Sequence, residues 1–502
     1  MALSNAFSGL SKTFFLALFL GIGGFLYGFD SGIITPTLVQ RHFVSYFKNP
    51  DPSLNGAIVS VYQGGAWIGS ALVGITSDKL GRKRAVAFGA AFGILGGVLM
   101  AGAAHVAMLI MGRLCVGFAV GTMTGVAPVF GAEIAKTHER ARLTACVQMC
   151  VAFGFFVANW TGYGSKFIDN SGQWRVGFSI QAIPALILFT GVWFIPESPR
   201  WLCLKGREAE AEHNFRRLHG GNSSEEWLVK EFETIKLAIR AEIEEQHNVS
   251  WGELLRTRPF RKRLAVGVFV WAAAMLSGIS FVQYYQPFIY RALSFNADQQ
   301  LLVTGLYGSI APIACIASLF FIDKIGRKPI LVFSSSLLSV SYLIITILSS
   351  KYDPKSIRPG EPVNNNALRA VVAMIFLVSA NYSALLGPMT WIIPPEVFTT
   401  EFRAKGNAIV QVLHYSISLV ITQCSPIALA KIGWRYYILF IITNALCAIV
   451  FSFYPETKGR SLEEIDLIFG DIKQVEGVFR NDGRMQSASP SDSEKVNVKE
   501  VA

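Results

Sequence analysis

Charge is what this chain has least of. Only 16% of its 502 residues are Asp, Glu, Lys or Arg, against about 25% in a typical soluble protein, so an ordinary water-soluble chain of several domains is excluded. Its seven cysteines stand singly, and all but Cys203 fall inside apolar stretches. That spacing argues against an extracellular disulfide framework and against a metal cluster, and the cysteines read as packing residues. The chain has no glycine loop ending in Lys-Ser/Thr, no metal-ligand helix and no nucleophile elbow. Nothing in it therefore predicts an enzyme, a bound cofactor or a metal. Acidic residues are fewer than basic ones, for a net charge of +11. Without a soluble basic domain or an aromatic platform, that excess does not predict a nucleic-acid partner.

What is abundant is apolar sequence. Hydrophobic residues make up 52% of the chain and the mean hydropathy is +0.42. Stretches of the roughly 20 residues needed to cross a bilayer lie near 12–34, 56–76, 85–104, 107–131, 143–163 and 176–195. Six more lie near 264–290, 299–322, 329–349, 370–394, 405–427 and 434–454. The predicted fold is an all-α membrane protein of twelve spans. The first is too long for a signal-peptide core, lacks a small-residue cleavage site and reads as a retained helix. The basic loops "DKLGRKR" (78–84), "KTHERAR" (136–142), "DKIGRK" (323–328) and the stretch 200–263 all fall on one side of an even-numbered topology. By the positive-inside rule that side is cytoplasmic, with both termini there.

The chain also repeats itself. "DKLGRK" at 78–83 recurs as "DKIGRK" at 323–328, between the second and third spans of each half. Glu133 and Arg140 stand seven apart after span four, as do Glu396 and Arg403 after span ten. "PESPR" (196–200) follows span six, and "PETKGR" (455–460) follows span twelve. Such parallel repeats predict two pseudo-symmetric six-helix halves with a substrate site between them near the bilayer midplane. The expected organisation is a cytoplasmic N-terminus (1–11), a first bundle (12–195), a cytoplasmic linker (196–263), a second bundle (264–454) and a largely disordered tail (455–502). Alternating charges and apolar residues in "REAEAEHNFRRL" and "EEWLVKEFETIKLAIRAEIEEQ" predict amphipathic helices in the linker.

One carboxylate stands out inside a span: Asp30, in "GGFLYGFDSGII". An aspartate at a helix centre costs about 2.5–3.5 kcal/mol on insertion scales, so it faces a protein interior or a water-filled cavity and takes a partner. Arg113, in "MGRLCVGFAVG", is the basic residue placed within another span of the same half. A permanently ionised structural pair and a titrating switch both fit this pattern.

"GFLYGFDSG", "DKLGRKR", "GRLCVGFAVG", "PESPRW", "DKIGRKP", "GPMTWIIPPEVF" and "PETKGRSLEEID" occur in this order. Together they resemble the sugar porter family of the major facilitator superfamily, particularly its fungal members. The resemblance spans nearly all the chain except its tail, and it implies the major facilitator fold. It also implies a proton switch at Asp30 and Arg113, because proton-coupled members carry an aspartate in span one and an arginine in span four.

The loop charges form the expected cytoplasmic latch: Asp78, Arg82, Glu133, Arg140 and Glu197 in the first half, and Asp323, Arg327, Glu396, Arg403 and Glu456 in the second. A network among them would hold the halves together on the cytoplasmic side; a purely topological role is the alternative.

The substrate pocket that the resemblance implies departs from the family pattern. Gln148 matches a sugar-binding glutamine in span five. In span seven the pattern Gln-Gln-x-Ser-Gly-x-Asn reads "AMLSGIS", with Ala274, Met275 and Ser280 in place of amides, followed by Tyr284 and Tyr285. Ala311 stands at an asparagine position in span eight and Ser383 at a polar position in span ten. Trp391 is kept, and His414 and Tyr415 replace Asn-Trp in span eleven. Amides offer a donor and an acceptor that bracket adjacent hydroxyls, so this set predicts a less conventional substrate than a hexose: a disaccharide, a cyclic hydroxy acid or a partly apolar metabolite. Tyr284, Tyr285 and Trp391 fit helix packing or gating equally.

The expected function is a plasma-membrane secondary transporter, not an enzyme, that imports a sugar or related polyhydroxy metabolite with protons, as a monomer in the lipid bilayer. Two alternatives stand beside it. A proton-antiport exporter lacks its usual glycine-proline signature in "CVQMCVAFGFFVANW", and a non-transporting nutrient sensor would carry a longer tail.

Overall fold

The computed structural model describes residues 12–134, 140–219, 224–246, 257–293, 295–318, 320–322, 324–352, 365–398, 403–458 and 469. Among these residues every regular element is helical. The first six spans are Lys12–Thr37, Pro52–Leu80, Arg82–Ala101, Val106–Ile134, Arg140–Gly164 and Gly172–Gly191. The seventh is broken into Arg258–Leu276 and Ile279–Ala292. The eighth and ninth are Ala297–Ser318 and Arg327–Lys351. The tenth runs Asn365–Asn381, then through a π-helical turn at Tyr382–Leu386, and on as Gly387–Val397. Arg403–Ile432 and Tyr437–Phe451 complete the set of twelve. Among the described residues ten stretches are long and apolar enough to cross a membrane, and one of these, Gly406–Phe451, takes in the last two helices.

Close helix approach places the site. Spans one and five touch backbone to backbone, since a Cβ on Gly28 would overlap the carbonyl of Val151 and one on Gly154 that of Phe25. Small residues at such crossings let helices pack tightly without a hydrophobic drive from lipid. This contact fixes the segment that carries Asp30. A Cβ on Gly117 would likewise overlap the carbonyl of Tyr62, which seats span four, and with it Arg113, against span two.

Between the halves, the described residues form the helices Pro199–Leu204, Glu208–His219 and Glu225–Gln246. Their apolar faces join through Trp201, Leu202, Ala211, Phe215, Leu228 and Phe232, while Lys236 pairs with Glu208 and Glu233 outside that core. The tail beyond residue 458, apart from Phe469, lies outside the described residues, as does the expectation that it is disordered.

Hydrogen bonds joining the halves run from the end remote from the charged loops to just past the middle. At the remote end Ser60 donates to Gln423 Oε1 (2.7 Å), and Thr35 donates to the carbonyl of Gln283 (2.9 Å). Trp160 Nε1 donates to Ser309 (2.9 Å). Near the middle Gln63 donates to the Tyr284 hydroxyl (3.2 Å), and the hydroxyls of Thr124 and Tyr415 share a hydrogen bond (3.2 Å). The bundle is thus drawn together at the end away from its charged loops.

Candidate functional site

Asp30 and Arg113 meet in full burial. Arg113 Nη1 donates to both carboxylate oxygens of Asp30, at 2.8 and 2.9 Å, and both side chains are 0% exposed. Gln181 of span six adds a third donor, its Nε2 standing 2.6 Å from Asp30 Oδ1. Arg113 Nε donates to the carbonyl of Ile58 (3.1 Å), and the guanidinium lies over the Tyr62 ring (4.9 Å). Arg113 Nη2, Gln181 Oε1 and the Tyr62 hydroxyl have no hydrogen-bond partner among the described residues. Removing one member of such a pair costs about 3–5 kcal/mol where the other charge stays buried. Protonating the carboxylate removes the charge without removing the group.

The pair connects to the interface between the halves. The Tyr284 hydroxyl donates to Ser31, the neighbour of Asp30 (3.3 Å), and accepts from Gln63. A residue of span seven is thereby tied to spans one and two. The Tyr285 hydroxyl instead donates to the Thr422 carbonyl (2.7 Å), within its own half.

The other residues singled out from the sequence fall on several walls. Gln148 is half-buried on span five. Ser280 is buried, and its hydroxyl lies 3.5 Å from Met275 Sδ. Ser383 is buried on the π-helical turn. Trp391, Trp271, His414 and Tyr415 form a run of rings with successive centroid distances of 5.4, 4.3 and 4.5 Å.

The loop charges form one network in each half. Arg82 pairs with Glu133 (2.8 Å) and Asp78 (3.1 Å). Glu197 accepts from the backbone N–H groups of Arg82 and Lys83 at the start of span three. Arg327 pairs with Glu396 (3.0 Å), and Glu456 accepts from the N–H groups of Arg327 and Lys328 at the start of span nine. Each carboxylate thus sits on a helix N-terminus, where free N–H groups and the helix dipole favour negative charge. The side chains of Arg140 and Arg403, and Asp323 altogether, lie outside the described residues. The pairs described here stay within a half.

Sequence reasoning passed over Gln181, Gln63, Tyr62, Tyr27 and Tyr382. Gln181 had a signal, a lone amide in the apolar run "GFSIQAIPALIL". The tyrosines had none, since rings in a span read first as packing.

A family model described as "Sugar (and other) transporter" matches residues 16–469. The chain belongs to the sugar (and other) transporter family. Among the relatives of this family member is the MFS-type transporter criB of Aspergillus cristatus, 35% identical over 98% of this chain and 100% of that protein. A high-affinity glucose transporter of Kluyveromyces lactis is 30% identical over 90% of this chain and 84% of that one. Among solved structures, the proton:xylose symporter XylE, bound to 6-bromo-6-deoxy-D-glucose, superposes with a TM-score of 0.73. It is 22% identical and covers 91% of this chain and 99% of that one. The inward-open form of the E. coli xylose transporter gives 0.72 at 23% identity, over 91% and 100% of the two chains. The fold is that of the major facilitator superfamily, with two pseudo-symmetric six-helix halves. This sugar transporter family member is an integral membrane protein and not an enzyme.

Proposed function

We propose that this transporter imports a sugar or a related polyhydroxy metabolite by proton symport, through alternating access of a site between its halves. The observation that carries the reading is the fully buried pair of Asp30 and Arg113, since a carboxylate kept inside a bilayer span marks a proton or substrate path. The relatives add support: one is a glucose transporter and one structural neighbour a proton:xylose symporter. Asp30 takes up the proton and Arg113 holds the carboxylate when the proton leaves. Gln148, Ser280, Tyr284, Tyr285, Ser383, Trp391, His414 and Tyr415 are the proposed substrate contacts. The charged end faces the cytoplasm of a cell bounded by the plasma membrane, as the distribution of basic loops favours. The bundle, drawn together at its other end, then faces inward, and the protein works as a monomer. When the charged end closes, the two loop networks come together across the halves as a latch.

Uptake into proteoliposomes tests the reading. A panel of labelled hexoses, pentoses, disaccharides, polyols and hydroxy acids is offered with and without an inward proton gradient. Accumulation of one class that depends on the gradient is expected. Uptake indifferent to the gradient overturns symport, and no uptake of any compound overturns transport of a sugar or related polyhydroxy metabolite.

A further inference from the structure

Rings dominate the space between the halves. Tyr27 of span one lies within electrostatic reach of Tyr284, Tyr382 and Tyr415, which come from three spans of the other half. Tyr27 and Tyr382 keep half-buried surfaces in mid-span, although their neighbours are tyrosines of the protein interior. Tyr62, fully buried, shares the neighbourhood of Tyr27, Tyr284 and Tyr415. Next to this group runs the ring wall of Trp391, Trp271, His414 and Tyr415, with Trp391 half-buried at its end.

The polar atoms here are of two kinds. Several hydroxyls and amides are already used between helices: Tyr284 with Ser31 and Gln63, and Tyr415 with Thr124. Others are not. His414 is 3% exposed, yet its Nδ1 has no partner among the described residues, and neither has Oε1 of Gln411, one turn earlier on the same helix. A buried polar atom without a partner is costly unless something else supplies one. Gln411 and His414 stand three apart on one helix, a spacing that makes side chains neighbours, and His414 belongs to the ring wall; both unpartnered atoms can take hydrogen bonds from a bound hydroxyl.

A puckered hexose presents hydroxyls around its whole rim and needs many bracketing polar groups. A flat aromatic ring offers two apolar faces that stack on rings with an offset or edge-on geometry, and its few hydroxyls need few acceptors. We infer that this site takes a flat, hydroxylated aromatic molecule in preference to a hexose or an aliphatic polyol. The inference rests on the transport reading above and narrows its substrate class. His414 and Gln411 accept from ring hydroxyls while Tyr27, Tyr382 and Trp391 stack on the ring.

Phloroglucinol and myo-inositol test it, being six-membered carbon rings of similar size that bear hydroxyls, one flat and aromatic, the other puckered and aliphatic. Binding of each, and of D-glucose, is measured by calorimetry on the purified full chain. Phloroglucinol is expected to bind at least about tenfold more tightly than either polyol. His414→Ala is expected to weaken phloroglucinol by about tenfold, the loss of one hydrogen bond with a ring contact. Gln411→Leu, a milder change of shape, is expected to weaken it less, in protein that elutes as a single monodisperse peak. Tighter binding of D-glucose or myo-inositol, or phloroglucinol affinity unchanged in both variants, overturns the inference. Uptake in proteoliposomes separates the two readings. Proton-driven uptake of a hexose with no phloroglucinol binding overturns the aromatic site alone, whereas phloroglucinol binding with no uptake of any compound supports the site and counts against transport.

Discussion

Glu197 and Glu456 follow Pro196 and Pro455 at matching places in the two halves, and each accepts from the first N–H groups of a helix. Their environments push them in opposite directions. Burial raises Glu197 above its ordinary 4.5, against the N–H groups of Ser198, Lys83 and Arg82 and the charge of Arg82. Burial also acts upward on Glu456, but the N–H groups of Lys458, Arg327 and Lys328 win and hold it below the ordinary value. By linkage, the raised Glu197 contributes stability at low pH that is lost as pH rises through its folded pKa. The depressed Glu456 contributes stability at higher pH that is lost as pH falls through its folded pKa. Glu456→Gln is therefore expected to lose about 1 kcal/mol at neutral pH, after allowing for solvent screening, and little in acid. Glu197→Gln is expected to flatten the loss of stability above pH 4.5. Melting curves across pH check both, and identical pH profiles for the two variants would contradict the assignment. Sequence reading reached the pairing of Asp30 with Arg113 because a charge in an apolar run needs an opposite charge. It did not reach Gln181, because an amide in a span fits many neutral partners.

At the level of the helix, the glycine of each "GRK" repeat does different work. Gly81 has φ +92°, and a Cβ there would stand 2.5 Å from Glu197 Oε2 and 3.2 Å from the Trp201 ring. Gly326, at φ −65°, faces crowding from Glu456 but no backbone constraint. Gly81→Ala should therefore cost about 1–3 kcal/mol from backbone strain in addition to displacing Glu197, and Gly326→Ala should cost less. Thermal melting of the two variants gives the order, and a larger loss for Gly326→Ala would contradict it. The twelve spans were legible because each is a long apolar run between polar loops. The break in span seven was not: "AAAMLSGISFVQYY" is continuous in hydropathy, and it turns on the left-handed Gly278 at φ +83°, where a Cβ would overlap Tyr342 and Phe440. The π-helical turn of span ten likewise has no local signal.

For the whole molecule, the repeats foretold two halves, but not which end would be drawn together. That depends on the balance of two sets of contacts that a single sequence contains at once. Alternating access requires the contact between Ser60 and Gln423 to open in every cycle. Cysteines at these two positions, in a background with Cys424→Ser, are expected to stop uptake when joined by a short bis-thiol reagent and to regain it on reduction. Full uptake by the joined protein would contradict alternating access.

The central claim is that Asp30 carries the proton, and one comparison in the same vesicles tests it most directly. Asp30→Asn keeps the shape of the protonated carboxyl but cannot release a proton. Uptake driven by an inward proton gradient is therefore expected to lose accumulation by tenfold or more, on the order of the energy of one coupled proton, while exchange of labelled for unlabelled substrate continues. Accumulation by Asp30→Asn at the level of the unaltered protein would contradict the claim.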